Sequence, residues 1–237
     1  MGRRDLLSMA WRDALFAHWP VDPAVVAEKL PDRVEVATHG GDAWLGVVAF
    51  VMADIRPRGA PLGLTFGELN LRTYVRDGAG ERGVYFFNLD ATDPVGVYVA
   101  RWLFRLPYFR AAMELDRRPV GGSLPGNEVT FVSHRIHPGV PAAHVDATYR
   151  PTGEVFEADP GSLARFLTEN YFFLTEGRGR LFRGDVDHDP WPLQEAEAEF
   201  RTNTLFEADG FDRPEGEPLC HYSTGIDVTA TRLYRVG

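Results

Sequence analysis

Two kinds of side chain alternate over the stretch Phe66-Gly67-Glu68-Leu69-Asn70-Leu71-Arg72-Thr73-Tyr74-Val75. Because successive side chains of a strand point to opposite faces, the polar residues Glu68, Asn70 and Arg72 share one face. Leucine, threonine and valine side chains occupy the other face. The pattern predicts a β-strand, and the remaining elements are interpreted around it.

A hairpin is predicted to follow this strand. Residues 77–83 hold three glycines, and Val84-Tyr85-Phe86-Phe87-Asn88-Leu89 then resumes the β-branched and aromatic character of a returning strand. Gly78, Gly80 and Gly83 imitate a phosphate-binding loop only superficially, since no helix begins after them to bind a phosphate at its N-terminus. The segment is therefore interpreted as a turn between strands.

The polar face of the predicted strand has two interpretations. Antiparallel sheets commonly expose one face to water, so Glu68, Asn70 and Arg72 could simply be solvated. In a closed or cone-shaped sheet the same face would line a cavity. Neighbours on one face lie ~6.6 Å apart, which would offer an acid, an amide and a guanidinium to one polar ligand.

Composition favours a single domain spanning residues 1–237. Hydrophobic residues make up 44% and aromatic residues 12% of the 237-residue chain, enough for a sizeable core. The formal net charge of −9 disfavours nucleic acids and membrane surfaces as partners, because both are negatively charged. Lys29 is the only lysine among 25 basic residues, so it alone could form a Schiff base with a carbonyl substrate.

Cysteine content and hydropathy favour a cytoplasmic protein. The single cysteine, Cys220, cannot form an internal disulfide, which suits a reducing compartment. The longest apolar run, residues 45–53, is far shorter than the ~20 residues of a membrane-spanning helix. No signal-peptide core follows Arg3 and Arg4. We expect no membrane and no cofactor as partner, and we leave a homo-oligomer open.

Caps, prolines and periodicity predict the other elements. A capping aspartate followed by proline marks a helix start at Asp22-Pro23 and again at Asp93-Pro94. Helices are expected at 24–30, 95–113 and 162–172, with Pro107 dividing the second. Strands are expected at 33–37, 44–52, 129–136, 144–150, 180–186, 194–202 and 226–236, and a loop at 117–127. The prediction is a large, mostly antiparallel sheet system with about three short helices.

The histidine cluster consists of His134, His137 and His144. Three imidazoles could hold zinc. Residues three apart on a strand face opposite ways, however, so His134 and His137 converge only if Pro138 bends the chain. We prefer a structural role for these histidines and predict no metal site.

Seven short motifs are distributed along the chain, at 16–23 (FAHWPVDP), 68–75 (ELNLRTYV), 84–91 (VYFFNLDA), 106–109 (LPYF), 149–151 (YRP), 160–163 (PGSL) and 190–194 (PWPLQ). Together they resemble the YqjF-like family of uncharacterised bacterial proteins nearly end to end. That family is a distant relative of acetoacetate decarboxylase. The resemblance implies an α+β, mostly β fold in which the sheet system curls into a cone or barrel around a small, largely apolar cavity.

The resemblance favours the lumen over solvent for the Glu68 face. It places Arg12 and Glu68 at the positions of an arginine and a glutamate of the decarboxylase site. Where the decarboxylase has a proline followed by two lysines, one of them the Schiff-base nucleophile, this chain has Pro107-Tyr108-Phe109. Neither tyrosine nor phenylalanine can form an iminium. The resemblance thus implies a pocket without Schiff-base decarboxylation, unless Lys29 enters it.

Three functions are compatible with these residues. The leading hypothesis is a binding protein for a small anionic or carbonyl metabolite, such as a carboxylate or keto compound, held by Arg12, Asn70 and Arg72. In the second, a lysine-independent lyase, isomerase or hydrolase uses Glu68 as general acid or base and Tyr108 as proton donor or oxyanion partner. In the third, a Glu68–Arg72 ion pair closes a structural or interaction module.

Overall fold

The chain is built mainly of β-strands in a computed structural model. The structure describes residues 5–121 and 124–236, without the side chain of Val99. The strands are β1 (Leu7–Val21), β2 (Glu35–Val36), β3 (Ala43–Pro57), β4 (Leu64–Arg76), β5 (Arg82–Ala91), β6 (Tyr108–Pro119), β7 (Asn127–Arg135), β8 (His144–Pro151), β9 (Phe172–Gly177), β10 (Arg180–His188), β11 (Leu193–Asn203), β12 (Leu219–Ala230) and β13 (Tyr234–Val236). The helices are α1 (Pro23–Ala27), α2 (Pro94–Leu103), α3 (Leu163–Thr168) and α4 (Leu205–Ala208).

The strands join into a sheet of order β13-β10-β9-β5-β6-β7-β8-β11-β12-β1-β3-β4-β2, with additional pairings β10–β12 and β5–β4. Because of those two pairings, the path β4–β5–β9–β10–β12–β1–β3 returns to β4 and closes a ring of strands. The pairings of β5 with β6 and with β9 are parallel, and the other pairings between the named strands are antiparallel. The predicted α+β, mostly β fold is confirmed.

The central strands β1, β3 and β4 are buried on both faces and separate two hydrophobic cores. Leu15 of β1 and Leu69 of β4 face the first core. Phe16 and Phe66, on the opposite faces of the same strands, belong to the second core. The first ten residues of β3 are all buried, which confirms the strand buried on both faces predicted at 44–52.

The predicted helix starts are confirmed by their caps. The side chain of Asp22 accepts a hydrogen bond from the Ala24 amide at 2.8 Å, and that of Asp93 accepts one from the Gly96 amide at 2.6 Å. A proline occupies the first turn of each helix. In the described part of the chain, no helix is long and apolar enough to cross a membrane.

Several local predictions are wrong, among them the continuous strand at 226–236, since β12 ends at Ala230 and β13 begins at Tyr234. Residues 108–113 belong to strand β6 instead of a helix, because Tyr108 pairs with Leu89 of β5 and the rest of β6 pairs with β7. The third helix ends at Thr168, since β9 begins at Phe172. Helix α4 was not predicted. The loop expected at 117–127 is strand as far as Pro119, and residues 122–123 of it lie outside the described ranges.

Candidate functional site

The polar face of β4 lies in the protein interior. Glu68 is 3% exposed, Asn70 is 2% exposed and Tyr74 is fully buried. Strands β3 and β5 flank β4, and the closed ring turns this face toward the second core. The structure therefore decides between the solvated and the interior interpretations in favour of the interior.

Glu68 and Tyr108 form a buried pair. In the β4–β5–β6 register, Leu89 of β5 is paired with Asn70 on one side and with Tyr108 on the other. This brings the first residue of β6 beside the polar face of β4. The Tyr108 hydroxyl donates a hydrogen bond to Glu68 Oε2 at 2.7 Å. The two residues predicted as catalytic are thus in direct contact.

Burial dominates the acid–base properties of this pair. It raises the pKa of Glu68 from 4.5 to about 7, although hydrogen bonds from Tyr108 and Asn70 act in the opposite direction. Burial and the neighbouring Glu68 also raise the pKa of Tyr108 well above 10. Near neutral pH, Glu68 can therefore either donate or accept a proton, while the phenol stays protonated.

A second polar group surrounds Arg72 on the same strand face. Arg72 Nη2 donates to the carbonyl oxygen of Leu167 at 3.0 Å, and the Tyr74 hydroxyl donates to the same oxygen at 2.7 Å. His18 Nε2 lies 2.6 Å from the Tyr74 oxygen. Because the tyrosine proton is used toward Leu167, His18 must donate from Nε2, which leaves its buried Nδ1 as an acceptor without a partner in the described residues.

His18 and Tyr74 were missed as site residues. Burial, followed by the charge of Arg72 and then His221, lowers the pKa of His18 well below 6.5, so the ring is neutral at physiological pH. The available signal was the position of Tyr74 on the same face as Glu68 and Arg72. No comparable signal identified His18, because its partner is 56 residues away in the sequence.

A cavity of about 520 Å³ adjoins both groups. Its lining is mostly apolar and includes Met9, Met52, Ile55, Leu62, Leu64, Phe66, Val84, Phe86, Leu89, Leu103, Phe104, Leu106, Phe173 and Trp191, with Glu68, Arg72 and Tyr108 among the polar members. Leu62 and Leu64 are exposed and mark its mouth. Because Leu64 and Arg72 are eight residues apart on β4, the lining extends over ~26 Å of strand. The cavity is therefore elongated.

Arg12 and Asn70 stand apart from this cavity lining. The resemblance placed Arg12 in the pocket, but its guanidinium donates to the carbonyl of Ile226 at 2.8 Å and to Asp227 Oδ1 at 2.6 Å. Its side chain is 41% exposed. Asn70 is not among the residues that line the cavity, and its buried Oδ1 has no partner in the described residues. The structure thus brings together Glu68, Tyr108 and Arg72 at the cavity.

The hypothesis of a Glu68–Arg72 ion pair is wrong. Arg72 directs its guanidinium to the Leu167 carbonyl and lies 5.5 Å from the Phe16 ring centroid. Within the described ranges, no ion pair joins it to Glu68. In the part of the chain that the structure describes, Glu68 therefore has no cationic partner.

The other candidate groups lie elsewhere. Lys29 is on the surface, with its amine 5.8 Å from the Phe211 ring centroid, and does not line the Glu68 cavity. Burial raises the pKa of the Cys220 thiol to about 12. His134 stacks on His144 at 3.9 Å between centroids, whereas His137 accepts from the Arg110 amide. The described residues contain no cluster of three or more histidine, cysteine or acidic side chains suited to a metal ion.

Several solved structures have a similar fold. The enduracididine biosynthesis enzyme MppR complexed with pyruvate aligns with a TM-score of 0.68 and 14% identity, covering 100% of this chain and 92% of that one. An acetoacetate decarboxylase-like enzyme from Sphingomonas wittichii RW1 aligns with a TM-score of 0.62 and 19% identity, covering 98% and 95%. Acetoacetate decarboxylase from Legionella pneumophila aligns with a TM-score of 0.59 and 14% identity, covering 98% and 87%. At these identities the likeness shows the fold alone.

A curated protein shows higher sequence identity than these solved structures. The uncharacterized protein YqjF of Bacillus subtilis (strain 168) is 40% identical over 226 residues, which are 94% of this chain and 89% of that protein. The model of the DUF2071 family, described as an uncharacterized conserved protein, matches residues 8–227. The chain therefore belongs to the DUF2071 family and has an acetoacetate decarboxylase-like fold.

Proposed function

We propose that this protein binds a small carbonyl compound in the Glu68 cavity, with the carbonyl oxygen beside Glu68 and Tyr108. The observation that carries the proposal is a buried acid–phenol pair, 2.7 Å apart, on the wall of an otherwise apolar cavity. In such surroundings a hydrogen bond to a carbonyl is stronger than in water, because little solvent competes for it. The pyruvate bound in the MppR structure supports a keto compound as the ligand class.

The size and shape of the cavity favour a ligand with a substantial apolar part. A volume of about 520 Å³ falls in the range of sites for drug-sized ligands, well above the needs of a three-carbon acid. Between Phe66 and the mouth at Leu62 and Leu64, the lining is apolar except for Arg56. A chain or ring attached to the carbonyl would lie there. Arg72, at the far end, supplies a guanidinium that would favour a carboxylate on the same ligand.

Ligand-dependent thermal stabilisation tests this binding function. Wild-type protein is incubated with 2-oxo acids and ketones of increasing apolar length, and the shift in Tm is measured. Glu68→Leu and Tyr108→Phe each remove one polar group facing the carbonyl, so we expect about tenfold weaker binding. Tyr149→Phe is the matched control, because this buried phenol donates to the Asp13 carbonyl at 2.9 Å, away from the cavity. Equal ligand responses in all three variants would refute the proposal.

A lysine-independent acid–base enzyme is the second candidate, favoured by the pKa of about 7 at Glu68. The Glu68 carboxylate would remove a proton from the carbon next to the carbonyl. The electrons of that C–H bond would form a carbon–carbon double bond, and the π electrons of the carbonyl would move to its oxygen to give an enolate. Tyr108 would then donate its hydrogen bond to the enolate oxygen, since protonated Glu68 no longer needs it.

Proton exchange separates catalysis from binding alone. In D₂O, an enzyme of this kind exchanges the α-hydrogens of a bound ketone for deuterium, which NMR detects. We expect Glu68→Gln to abolish enzyme-dependent exchange while Tyr149→Phe retains it. Exchange at the uncatalysed rate with every ligand that binds would leave binding as the function and exclude this chemistry.

We also expect no Schiff-base decarboxylation. Tyr108 and Phe109 occupy the positions where the resemblance implies lysines, and Lys29 does not line the Glu68 cavity. Incubation with acetoacetate and borohydride should therefore give no covalent adduct by mass spectrometry. An adduct that disappears in Lys29→Arg would show that the lysine reaches the bound ligand.

A further inference from the structure

A second cavity, here called the outer cleft, lies beyond Phe86 and Leu106, which line it and the Glu68 cavity alike. Its volume is about 480 Å³. Four cationic side chains line it, Lys29, Arg101, Arg105 and Arg178, together with one acid, Glu176. On a chain with a net charge of −9, this concentration of positive charge needs an explanation.

Three of the four cations of the outer cleft, Lys29, Arg101 and Arg105, contact neutral groups. Arg101 Nη1 donates to the Tyr108 carbonyl at 2.6 Å, and the Arg105 guanidinium lies 4.7 Å from the Phe182 ring centroid. None of the four forms an ion pair with a carboxylate in residues 5–121 or 124–236. These contacts orient the side chains and leave their charges available to a ligand.

Two of these arginines have an unfavourable backbone conformation. Arg105 has φ +52° and Arg178 has φ +55°, and only two other non-glycine residues in the described ranges have positive φ. Arg178 is the first of two residues joining β9 to β10, a hairpin position that favours asparagine or glycine. Arginine at both positions departs from the rule that residues other than glycine rarely have positive φ. Such departures are concentrated at ligand sites.

The β9–β10 turn packs directly on Arg105. A Cβ atom on Gly177 would lie 2.8 Å from Arg105 Cδ, so only glycine permits this approach. The Thr175 hydroxyl donates to the Arg105 carbonyl at 2.8 Å and fixes the backbone there. The cleft therefore assembles its two strained arginines side by side through a glycine and a threonine of β9.

We propose that the outer cleft binds an anionic group carrying two or more negative charges, of the phosphate or polycarboxylate class. Guanidinium groups provide the forked donors that such oxygens accept. The four cations exceed the single carboxylate by three charges, which favours a multivalent anion over chloride. This site is separate from the Glu68 cavity, so its occupancy does not depend on the function proposed there.

Thermal shift measurements with sodium pyrophosphate and with sodium citrate test the site. Each is compared with sodium chloride at matched ionic strength, so that general screening is subtracted. We expect a rise in Tm with at least one multivalent anion beyond that seen with chloride. No additional rise with either anion would overturn the proposal.

The variant Arg178→Gly removes the charge without disturbing the fold. Glycine adopts φ +55° freely, so Tm without added anion should be unchanged or higher. The anion concentration giving half of the shift should rise about tenfold or more, as expected for one lost charge-assisted hydrogen bond. Arg118→Gln is the matched control, an exposed arginine nine residues along β6 from Phe109, ~30 Å away. A shift retained in Arg178→Gly, or lost equally in the control, would show adventitious surface binding and overturn the site.

Discussion

Two buried carboxylates illustrate how the same chemical group serves different ends in one protein. Asp13 is 6% exposed and Glu68 is 3% exposed. Asp13 Oδ1 accepts from the Tyr222 hydroxyl at 2.6 Å and from Asn127 at 2.7 Å, while Oδ2 accepts from Arg117 at 3.1 Å. Every oxygen of this carboxylate is engaged, and a guanidinium balances its charge.

The surroundings of Glu68 differ in both respects. The Tyr108 hydroxyl donates a hydrogen bond to it, no cation pairs with it among the described residues, and one side of it adjoins a cavity. Its pKa of about 7 reflects this poor stabilisation of the charged form. The contrast between Asp13 and Glu68 shows that burial alone does not identify a reactive acid. An acid with few donors and an open side is the one available to a ligand.

The largest expected effect is on stability, from removing the satisfied acid. Asp13→Ala leaves three donors without their acceptor and places alanine at φ +52°. We expect the free energy of unfolding to fall by about 3–5 kcal/mol, measured by urea denaturation. Asp13→Asn keeps an acceptor and tolerates positive φ, so its loss should be less than half as large. A loss below about 1 kcal/mol in Asp13→Ala would break the comparison.

The next largest effect is the pH dependence of stability that Glu68 causes. The folded-state pKa of Glu68 is raised above its unfolded value, so between pH 4.5 and about 7 the folded state binds more protons than the unfolded state. Stability should therefore fall as pH rises through this window. The difference between a pKa of 4.5 and one of about 7 corresponds to ~3 kcal/mol of unfolding free energy.

Glu68→Gln isolates this contribution. The pKa values of Asp90 and Asp209 are also raised, to about 6, mainly by burial, but both residues are present in the wild type and in the variant. The unfolding free energies of the two proteins are measured at pH 5 and pH 8. Their difference at each pH gives the contribution of Glu68 ionisation to stability. If that difference is the same at both pH values, Glu68 is ionised normally and the contrast with Asp13 disappears.

The smallest expected change in unfolding free energy comes from Arg12, a charged residue that is partly exposed, unlike Asp13 and Glu68. Arg12 pairs with Asp227, and their side chains are 41% and 85% exposed. Exposed ion pairs contribute about 0–1 kcal/mol, so Arg12→Gln should change the unfolding free energy by less than about 1 kcal/mol. It should also leave ligand-induced shifts in Tm unchanged. A weakened response to 2-oxo acids in this variant would return Arg12 to the binding site.

The β4 strand and its partners show what the sequence could predict. Strict alternation over ten residues identified the strand and the side chains that share its polar face. The alternation could not show whether that face is exposed to solvent. Its burial depends on closure of the ring, which requires pairings between distant segments such as β10 with β12 and β5 with β9. Tyr108 came from the resemblance, since its contact with Glu68 spans 40 residues.

Strand β1 shows why other parts were missed. Its pairing with β3 shifts register between Ser8 and Ala10 and again between Arg12 and Leu15, and Asp13 has positive φ. These bulges interrupt the alternation that reveals a strand. Similarly, the apolar spacing after Pro107 suggests a helix, but pairing with β5 and β7 determines the conformation of β6. Tertiary context overrides local preference at both places.

The position of β1 also constrains how the chain acquires its structure during synthesis. Leu7 pairs with Ala230, and eleven such partners join β1 to β12. A ribosome delivers β1 before β12, so one hydrogen-bonding edge of β1 has no native partner until β12 has emerged. Such distant pairings slow folding because a long loop must close before they form. The nascent polypeptide therefore completes its ring only after translation of β12.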